Sequence, residues 1–193
     1  MKKIALTQRL LKNPLYYEIR EALDINWGAF IAAAGFEPLI LPLKYDFTKL
    51  EFNGIILTGG NDLSCVSGDE TDRMRDDFET RLLDFCISKN IPVFGVCRGM
   101  QMINVYFGGL LKKVEGHAGC VHLLNDGREL NSYHGFAVDV LGDGLSSTAE
   151  AADGIIEIIR HREYRVYAQM YHPERYNPFR PDDLRFLRDY FND

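Results

Sequence analysis

The sequence predicts an α/β fold, a mostly parallel sheet flanked by helices with added antiparallel strands beside it. Three observations carry that expectation. The runs Pro38-Leu39-Ile40-Leu41-Pro42, Gly54-Ile55-Ile56-Leu57-Thr58 and Ile91 to Val96 are continuously apolar rather than alternating, as in strands covered on both faces. Segments with helical periodicity stand between such runs through the first 110 residues. After Leu110 the pattern changes to short β-like runs, which are expected to pair antiparallel beside the main sheet. A chain of 193 residues, 46% of them hydrophobic, is long enough for one sizeable core and short for two, so a single domain over residues 1–193 is expected.

The elements follow in order. Ile4 to Thr7 reads as a first strand and Asn13-Pro14 as part of a polar loop. A helix is then expected to carry Ile19, Leu23, Trp27, Phe30, Ile31 and Ala34 on one side and Glu18, Arg20, Glu21 and Asp24 on the other, with Gly35 as its stop. Glu70 to Asn90 reads as a charged amphipathic helix with Phe78, Leu82, Phe85 and Cys86 inward, and Arg98 to Phe107 as a helix ended by Gly108-Gly109. Val121 to Leu124 and Ile155 to Ile159 are the clearest later strands, and Asp182 to Phe191 is a closing helix with Pro181 where a first turn tolerates it.

Composition removes several classes. Lys and Arg total 22 against 28 Asp and Glu, a formal charge of −6 with no basic stretch, so nucleic acid is not an expected partner. No segment approaches the length of a membrane span, and the apolar start at Ile4-Ala5-Leu6 is too short for a signal-peptide core. Cys65, Cys86, Cys97 and Cys120 lack paired spacing, which fits a reduced, cytoplasmic protein. His117, His122, His134 and His161 show no metal-ligand spacing on one helix, so no metal is expected.

Gly95-Val96-Cys97-Arg98-Gly99 falls where a buried strand gives way to a helix, with glycines two places on either side of a nucleophile. This is the nucleophile-elbow pattern with cysteine in place of serine. The sharp turn forces a strained conformation on its central residue and puts Cys97 at a helix N-terminus, where the dipole and free N–H groups favour a thiolate. For Cys65, Cys86 and Cys120 the expectation is a small buried hydrophobe.

A thiolate that attacks a carbonyl needs a proton shuttle and a group to orient it. Tyr171-His172-Pro173-Glu174 offers both. Pro173 biases His172 towards an extended conformation, and in an extended chain residues two apart share a side, so Glu174 reaches the His172 ring. Thr58-Gly59-Gly60-Asn61-Asp62 follows a buried strand at the same sheet end, so the backbone N–H groups of Gly60 and Arg98 are the candidate oxyanion donors. The alternative for that loop is a glycine turn with no chemical role.

Leu57 to Leu63, Gly95 to Val105, Asn131-Ser132-Tyr133-His134 and His172-Pro173-Glu174 together resemble class I glutamine amidotransferase domains, in that family's motif order. The γ-glutamyl hydrolase branch is the nearest in pattern. The resemblance implies a flavodoxin-like fold, a small-molecule γ-glutamyl substrate, attack on its γ-amide by Cys97 through a thioester, and no cofactor. It also implies that Gln101 and the stretch around Ser132, Tyr133 and His134, with Gly59, hold the glutamyl group. The sequence departs from the pattern in three places. The oxyanion loop is Gly-Gly-Asn-Asp instead of the Gly-Gly-Pro-Gly of glutaminase subunits, Asn-Ser-Tyr-His-Gly lacks a second histidine and a following glutamine, and Met170 stands where a glutamine two places before the histidine is usual, with Gln169 one place earlier.

The N-terminal stretch with Thr7-Gln8-Arg9, Asn13, Tyr17-Glu18, Arg20, Ala22-Leu23-Asp24 and Trp27 is similar to a narrower subgroup associated with surface-polysaccharide genes. This similarity implies removal of the γ-glutamyl group from γ-glutamyl-CDP-amidate in capsular phosphoramidate synthesis as the specific activity. Arg9 then meets an anionic leaving group, or else pairs with a surface carboxylate. Tyr17 either lines the substrate mouth or packs at a helix start. Two rival functions stand beside this one: a glutaminase subunit that passes ammonia to a separate synthetase, and a catalytically silent binding module. A homo-oligomer is compatible with either. An α/β-hydrolase is disfavoured because its acid precedes the histidine in chain order, whereas Glu174 follows His172.

Overall fold

The computed structural model describes residues 1–193. Its main sheet has seven strands. Five are parallel: β1 (Lys3–Leu6), β4 (Glu37–Ile40), β5 (Gly54–Leu57), β6 (Val93–Val96) and β13 (Val166–Gln169). Two antiparallel strands, β12 (Ile156–His161) and β11 (Leu145–Glu150), complete it in the order β11-β12-β13-β6-β5-β1-β4. The α/β class and the added antiparallel strands agree with the sequence pattern.

The apolar runs are buried on both faces because alternate side chains feed two separate cores. Ile4, Leu6, Ile56, Phe94 and Val96 pack with Trp27, Phe30 and Ile31 of α1 (Asn26–Ala33) and with Leu187 and Phe191 of α5 (Pro181–Asn192). Ala5, Ile55, Leu57 and Val93 point the other way, towards Phe78 and Leu82 of α3 (Glu70–Ser88) and Met100 and Ile103 of α4 (Arg98–Tyr106). A single run of apolar residues thus serves two layers, which is the physical content of a continuous rather than alternating strand.

Three expectations are corrected here. The helix expected from Ile19 begins only at Asn26, and Ile19–Ala22 (β3) pairs antiparallel with Arg9–Lys12 (β2). Long-range bonds decide against the local periodicity: Asn61 Oδ1 accepts from Leu10 N at 2.8 Å and Asn61 Nδ2 donates to Leu10 O at 3.0 Å, fixing β2 as an extended strand. Trp27, Phe30, Ile31 and Ala34 still share the buried face. The run at Pro38 is an edge strand, paired only to β1 with Ile40 39% exposed, where a residue without an N–H costs least. Cys65, expected to be buried, is exposed on the short helix α2 (Ser64–Ser67), whereas Cys86 is buried as expected and Cys120 is partly buried.

Two more strand pairs lie beside the sheet: β7 (Leu110–Lys113) with β10 (Phe136–Val140), and β8 (Ala118–Leu123) with β9 (Glu129–Tyr133). No helix is long and apolar enough to cross a membrane.

Candidate active site

Strand β6 runs without a linker into α4, and Cys97 between them has φ 53 and ψ −106, a left-handed backbone forced on a residue with a side chain. The Cys97 N–H donates to Gln169 O at 2.8 Å, and its carbonyl accepts from Met100 N at 2.9 Å, so the neighbouring strand and the helix hold the turn from both sides. Gly99 is required for close approach: a Cβ there would lie 2.0 Å from the Leu57 carbonyl oxygen.

The Cys97 side chain and the His172 ring both pack against Gly59, and His172 Nδ1 lies 2.7 Å from Glu174 Oε1. His172 is extended as expected, φ −105 and ψ 95, but Pro173–Arg175 coils into a 3₁₀ turn instead of continuing as a strand. Glu174 reaches the ring by that turn. All three side chains are buried, Cys97 at 7% exposure, His172 at 2% and Glu174 at 1%.

Burial alone pushes the His172 imidazole down, but interaction with the neighbouring Cys97 and Glu174 outweighs burial and raises it from 6.5 to about 9. A histidine raised in the folded state contributes stability fully below pH 6.5 and loses it as pH rises through about 9. An NMR titration of the His172 ring is expected to give a midpoint near 9, moving lower in Glu174→Gln. A wild-type midpoint at or below the ordinary histidine value would contradict this electrostatic account.

The glycine loop after β5 packs directly on these groups. A Cβ on Gly59 would sit 2.6 Å from His172 Cε1 and 3.6 Å from Cys97 Cβ. Gly60 has φ 82, and the Arg9 side chain lies over it, with a Gly60 Cβ only 3.1 Å from Arg9 Cδ. Beneath the loop, Arg75 gathers its carbonyls: Nη2 donates to Thr58 O at 2.7 Å, and Nη1 to Gly59 O at 3.2 Å and to Gly60 O. Carbonyls held on that side leave the loop's N–H groups free to face the other way.

Arg75 is itself held by Glu79 at 2.9 Å, and Glu79 also accepts from Arg98, which pairs in turn with Asp76. Burial, followed by repulsion from Arg98, brings Arg75 down to about 10. Burial raises Glu79, but the two guanidiniums outweigh it and hold the carboxylate below its ordinary value. The Arg98 side chain therefore braces the loop, while its backbone opens α4 beside Cys97.

A pocket of about 260 Å³ opens over this arrangement, lined by residues that include Arg9, Trp27, Gly60, His172, Glu174 and Arg175. Tyr133 lies at the site, its ring edge-on to His172 with centroids 5.7 Å apart and Arg175 stacked over it at 4.6 Å. Other candidates are placed differently. Gln101 is buried and donates to Phe136 O at 2.8 Å, Ser132 donates to His117 O at 2.5 Å, and the His134 ring faces Glu157 at 3.2 Å. Tyr17 is 88% exposed and borders a separate cleft with Leu10, Ile19 and Met74.

Asn131 was not among the sequence candidates beyond its place in the Asn-Ser-Tyr-His run. Its Oδ1 accepts from His172 N at 2.8 Å and its Nδ2 donates to His172 O at 2.9 Å, a two-point clamp on the histidine backbone. Arg75 and Glu79 also gave no sequence signal, since charged residues on an amphipathic helix read as a solvated face.

The sequence profile of the Peptidase C26 family matches residues 4–126 and 113–174. The chain is 34% identical to the γ-glutamyl-CDP-amidate hydrolase of Campylobacter jejuni over 98% of its own length and 97% of the relative's. It is 30% identical to protein NtpR of Enterococcus hirae over 71% of this chain and 74% of that one. It is 32% identical to the carbamoyl phosphate synthase small chain of Thermus thermophilus, over 75% of this chain but 37% of that relative. A crystal structure of a glutamine amidotransferase from Thermotoga maritima shares the fold at a TM-score of 0.69, with 12% identity over 99% of this chain and 84% of that one. On the profile match and the full-length similarity together, the chain belongs to the Peptidase C26 family of class I glutamine amidotransferase-like proteins.

Proposed function

We infer that the protein hydrolyses the γ-amide of a γ-glutamyl conjugate, with Cys97 as nucleophile, His172 as proton shuttle and Glu174 as its orienting carboxylate. The observation that carries this reading is the positive-φ Cys97 elbow, packed with the His172 ring against Gly59, with His172 Nδ1 2.7 Å from the buried Glu174 carboxylate.

The Cys97 sulfur attacks the γ-carbon, a C–S bond forms, and the carbonyl electron pair moves onto oxygen, where the N–H groups of Gly60 and Arg98 receive it. As the intermediate collapses, the C–N bond breaks and the His172 proton goes to the leaving nitrogen. Water then adds to the γ-glutamyl thioester, His172 takes its proton, and glutamate leaves as the thiol is restored. No step calls for a cofactor.

The leaving group is proposed to be a nucleoside diphosphoramidate, so that γ-glutamyl-CDP-amidate is the substrate. Full-length similarity to a hydrolase of that compound supports this, as does the chemistry of the pocket mouth. Arg9 and Arg175 both line it, and a guanidinium suits phosphate oxygens.

The test is glutamate release from a panel of glutamine, γ-glutamyl-γ-aminobutyrate, γ-glutamyl peptides and γ-glutamyl-CDP-amidate. Release from the nucleotide amide with glutamine poor is the expected result. If glutamine alone reacts and a synthetase chain stimulates it, the glutaminase reading replaces this one. Arg9→Ala is expected to lose about 1.5–3 kcal/mol of charge-assisted binding, raising KM for the nucleotide amide roughly 10- to 100-fold while leaving any glutamine turnover unchanged. An equal effect on both substrates would remove Arg9 from leaving-group recognition.

A further inference from the structure

Away from the candidate active-site pocket, three histidines around the β8–β9 hairpin meet a glutamate of the main sheet in one cluster. His117 precedes β8, His122 lies on β8, His134 follows β9 and Glu157 lies on β12 of the main sheet. His134 and Glu157 are 2% exposed, His117 is 5% exposed, and the His122 side chain is 10% exposed. One nitrogen of each ring turns to the same carboxylate oxygen, with His122 Nδ1 at 3.0 Å, His134 Nε2 at 3.2 Å and His117 Nδ1 at 3.8 Å from Glu157 Oε1. A tetrahedral zinc with bonds of about 2.0–2.1 Å sets its ligand atoms about 3.3–3.4 Å apart. The three N···O separations bracket that spacing, and one ligand atom from each of the four residues lies within 4.8 Å of all the others.

The outer nitrogens decide what faces inward. His117 Nε2 lies 2.8 Å from Asp153 Oδ2, and His134 Nδ1 lies 3.1 Å from the Phe136 carbonyl. An ionised carboxylate and a carbonyl only accept, so those outer nitrogens carry hydrogen. His122 Nε2 lies 3.2 Å from Cys120 Sγ, whose own hydrogen goes to Gly116 O at 3.1 Å. The sulfur therefore accepts from His122 as well. In the neutral imidazoles, all three inward nitrogens then present lone pairs to one another and to a carboxylate oxygen. Such a box needs a cation inside it. His117 Nδ1 is buried with no hydrogen-bond partner, which marks it as a ligand atom aimed inward.

We propose that His117 Nδ1, His122 Nδ1, His134 Nε2 and the Glu157 carboxylate bind one Zn²⁺ ion. Three imidazoles with a single carboxylate favour zinc over magnesium or calcium, which take mainly oxygen ligands. Asp153, the Phe136 carbonyl and Cys120 are the outer partners that fix ring orientation and tautomer. Glu157 and Asp153 together balance the two positive charges. A cleft lined by residues that include Glu115, Gly116, His117, His122 and Asp153 gives the ion a path from solvent.

The site joins two parts of the fold. Its histidines sit on and around the β8–β9 hairpin, and its carboxylate sits on the main sheet. That hairpin carries Asn131, which clamps His172, and Tyr133, which packs against the His172 ring. The backbone of Glu157 also accepts from Met170 N at 2.8 Å, two residues before His172. The zinc is therefore structural and positioning: it holds the hairpin against the sheet beside the reactive groups and takes no part in bond cleavage. Sequence spacing hid it because the ligands converge only through the β8–β9 pairing and the approach of β12.

The test uses the full, untagged chain. Metal analysis of the purified protein is expected to find about one zinc per chain. After removal with a strong chelator, the wild type is expected to bind one equivalent of Co²⁺ with the visible absorption of a tetrahedral N/O site, and Zn²⁺ is expected to raise its melting temperature. His122→Asn and Glu157→Gln should each weaken Co²⁺ binding by more than about 100-fold, and Asp153→Asn by about 10- to 100-fold. The proposal is overturned if the wild-type apoprotein binds no Co²⁺ and melts identically with and without Zn²⁺, which would leave protons as the cations in the box. Undiminished binding in both His122→Asn and Glu157→Gln would overturn it equally, by placing the metal elsewhere. Because the wild-type titration needs no variant, a variant that fails to fold does not block the test.

Discussion

Cys97→Ala is expected to lower turnover of the γ-glutamyl substrate by about 10⁴-fold or more, the scale on which loss of a nucleophile is felt when several groups act as a unit. The fold should survive, because the substitution removes only a sulfur from a side chain that is 7% exposed. Circular dichroism and melting temperature are the controls, and glutamate release is the readout. Loss of activity together with loss of structure would say nothing of catalysis. Retained activity in a folded variant would remove Cys97 from the chemistry. Cys97→Ser is the sharper companion, since it keeps a hydroxyl in the same place but gives up the more nucleophilic sulfur. It is expected to be nearly as inactive.

Arg75→Met is expected to have the largest effect on stability. The guanidinium is fully buried and meets Glu79 and the carbonyls of Thr58, Gly59 and Gly60. Removing one partner of a buried ion pair while leaving the other costs about 3–5 kcal/mol, which at this chain length lowers Tm by roughly 6–20 °C. Activity should fall as well, because the loop carbonyls lose the donors that hold their N–H groups towards the pocket. Arg75→Lys separates the two effects. A lysine restores a charge opposite Glu79, but a single ammonium does not reproduce the planar fork that reaches several carbonyls at once. Stability is expected to recover in part and activity much less. A Tm change of only a degree or two in Arg75→Met, measured by calorimetry, would contradict the bracing role.

The local geometry of the candidate site was more legible in the sequence than the elements packed around it. Gly95 and Gly99 flanking Cys97 mark a tight strand-to-helix turn because local sterics demand it, and the turn is left-handed at Cys97 as that argument requires. His172 and Glu174 meet because they are neighbours in the chain, although a 3₁₀ turn and not an extended strand brings them together. Strand β3 looks helical in sequence because Ile19 and Leu23 happen to continue the spacing of Trp27 and Phe30. The Asn61 side chain, 51 residues away, and the pairing with β3 hold the backbone at Leu10 extended. Arg75 and Glu79 carry the same letters as the exposed charges of α3, and nothing local distinguishes an ion pair at zero exposure from one in water. The histidine cluster is the extreme case, since its three histidines are brought face to face only by the β8–β9 pairing and its carboxylate comes from β12.

The central claim is that Cys97 is acylated by the γ-glutamyl group. The most direct measurement is rapid acid quenching of enzyme mixed with γ-glutamyl-CDP-amidate, followed by intact-protein and peptide mass spectrometry. The account predicts that the peptide bearing Cys97 gains the mass of one γ-glutamyl group during turnover, that hydroxylamine removes it, and that Cys97→Ala never acquires it. Active enzyme that releases glutamate under the same conditions with Cys97 unmodified at every quench time, and with Cys97→Ala equally active, would contradict it.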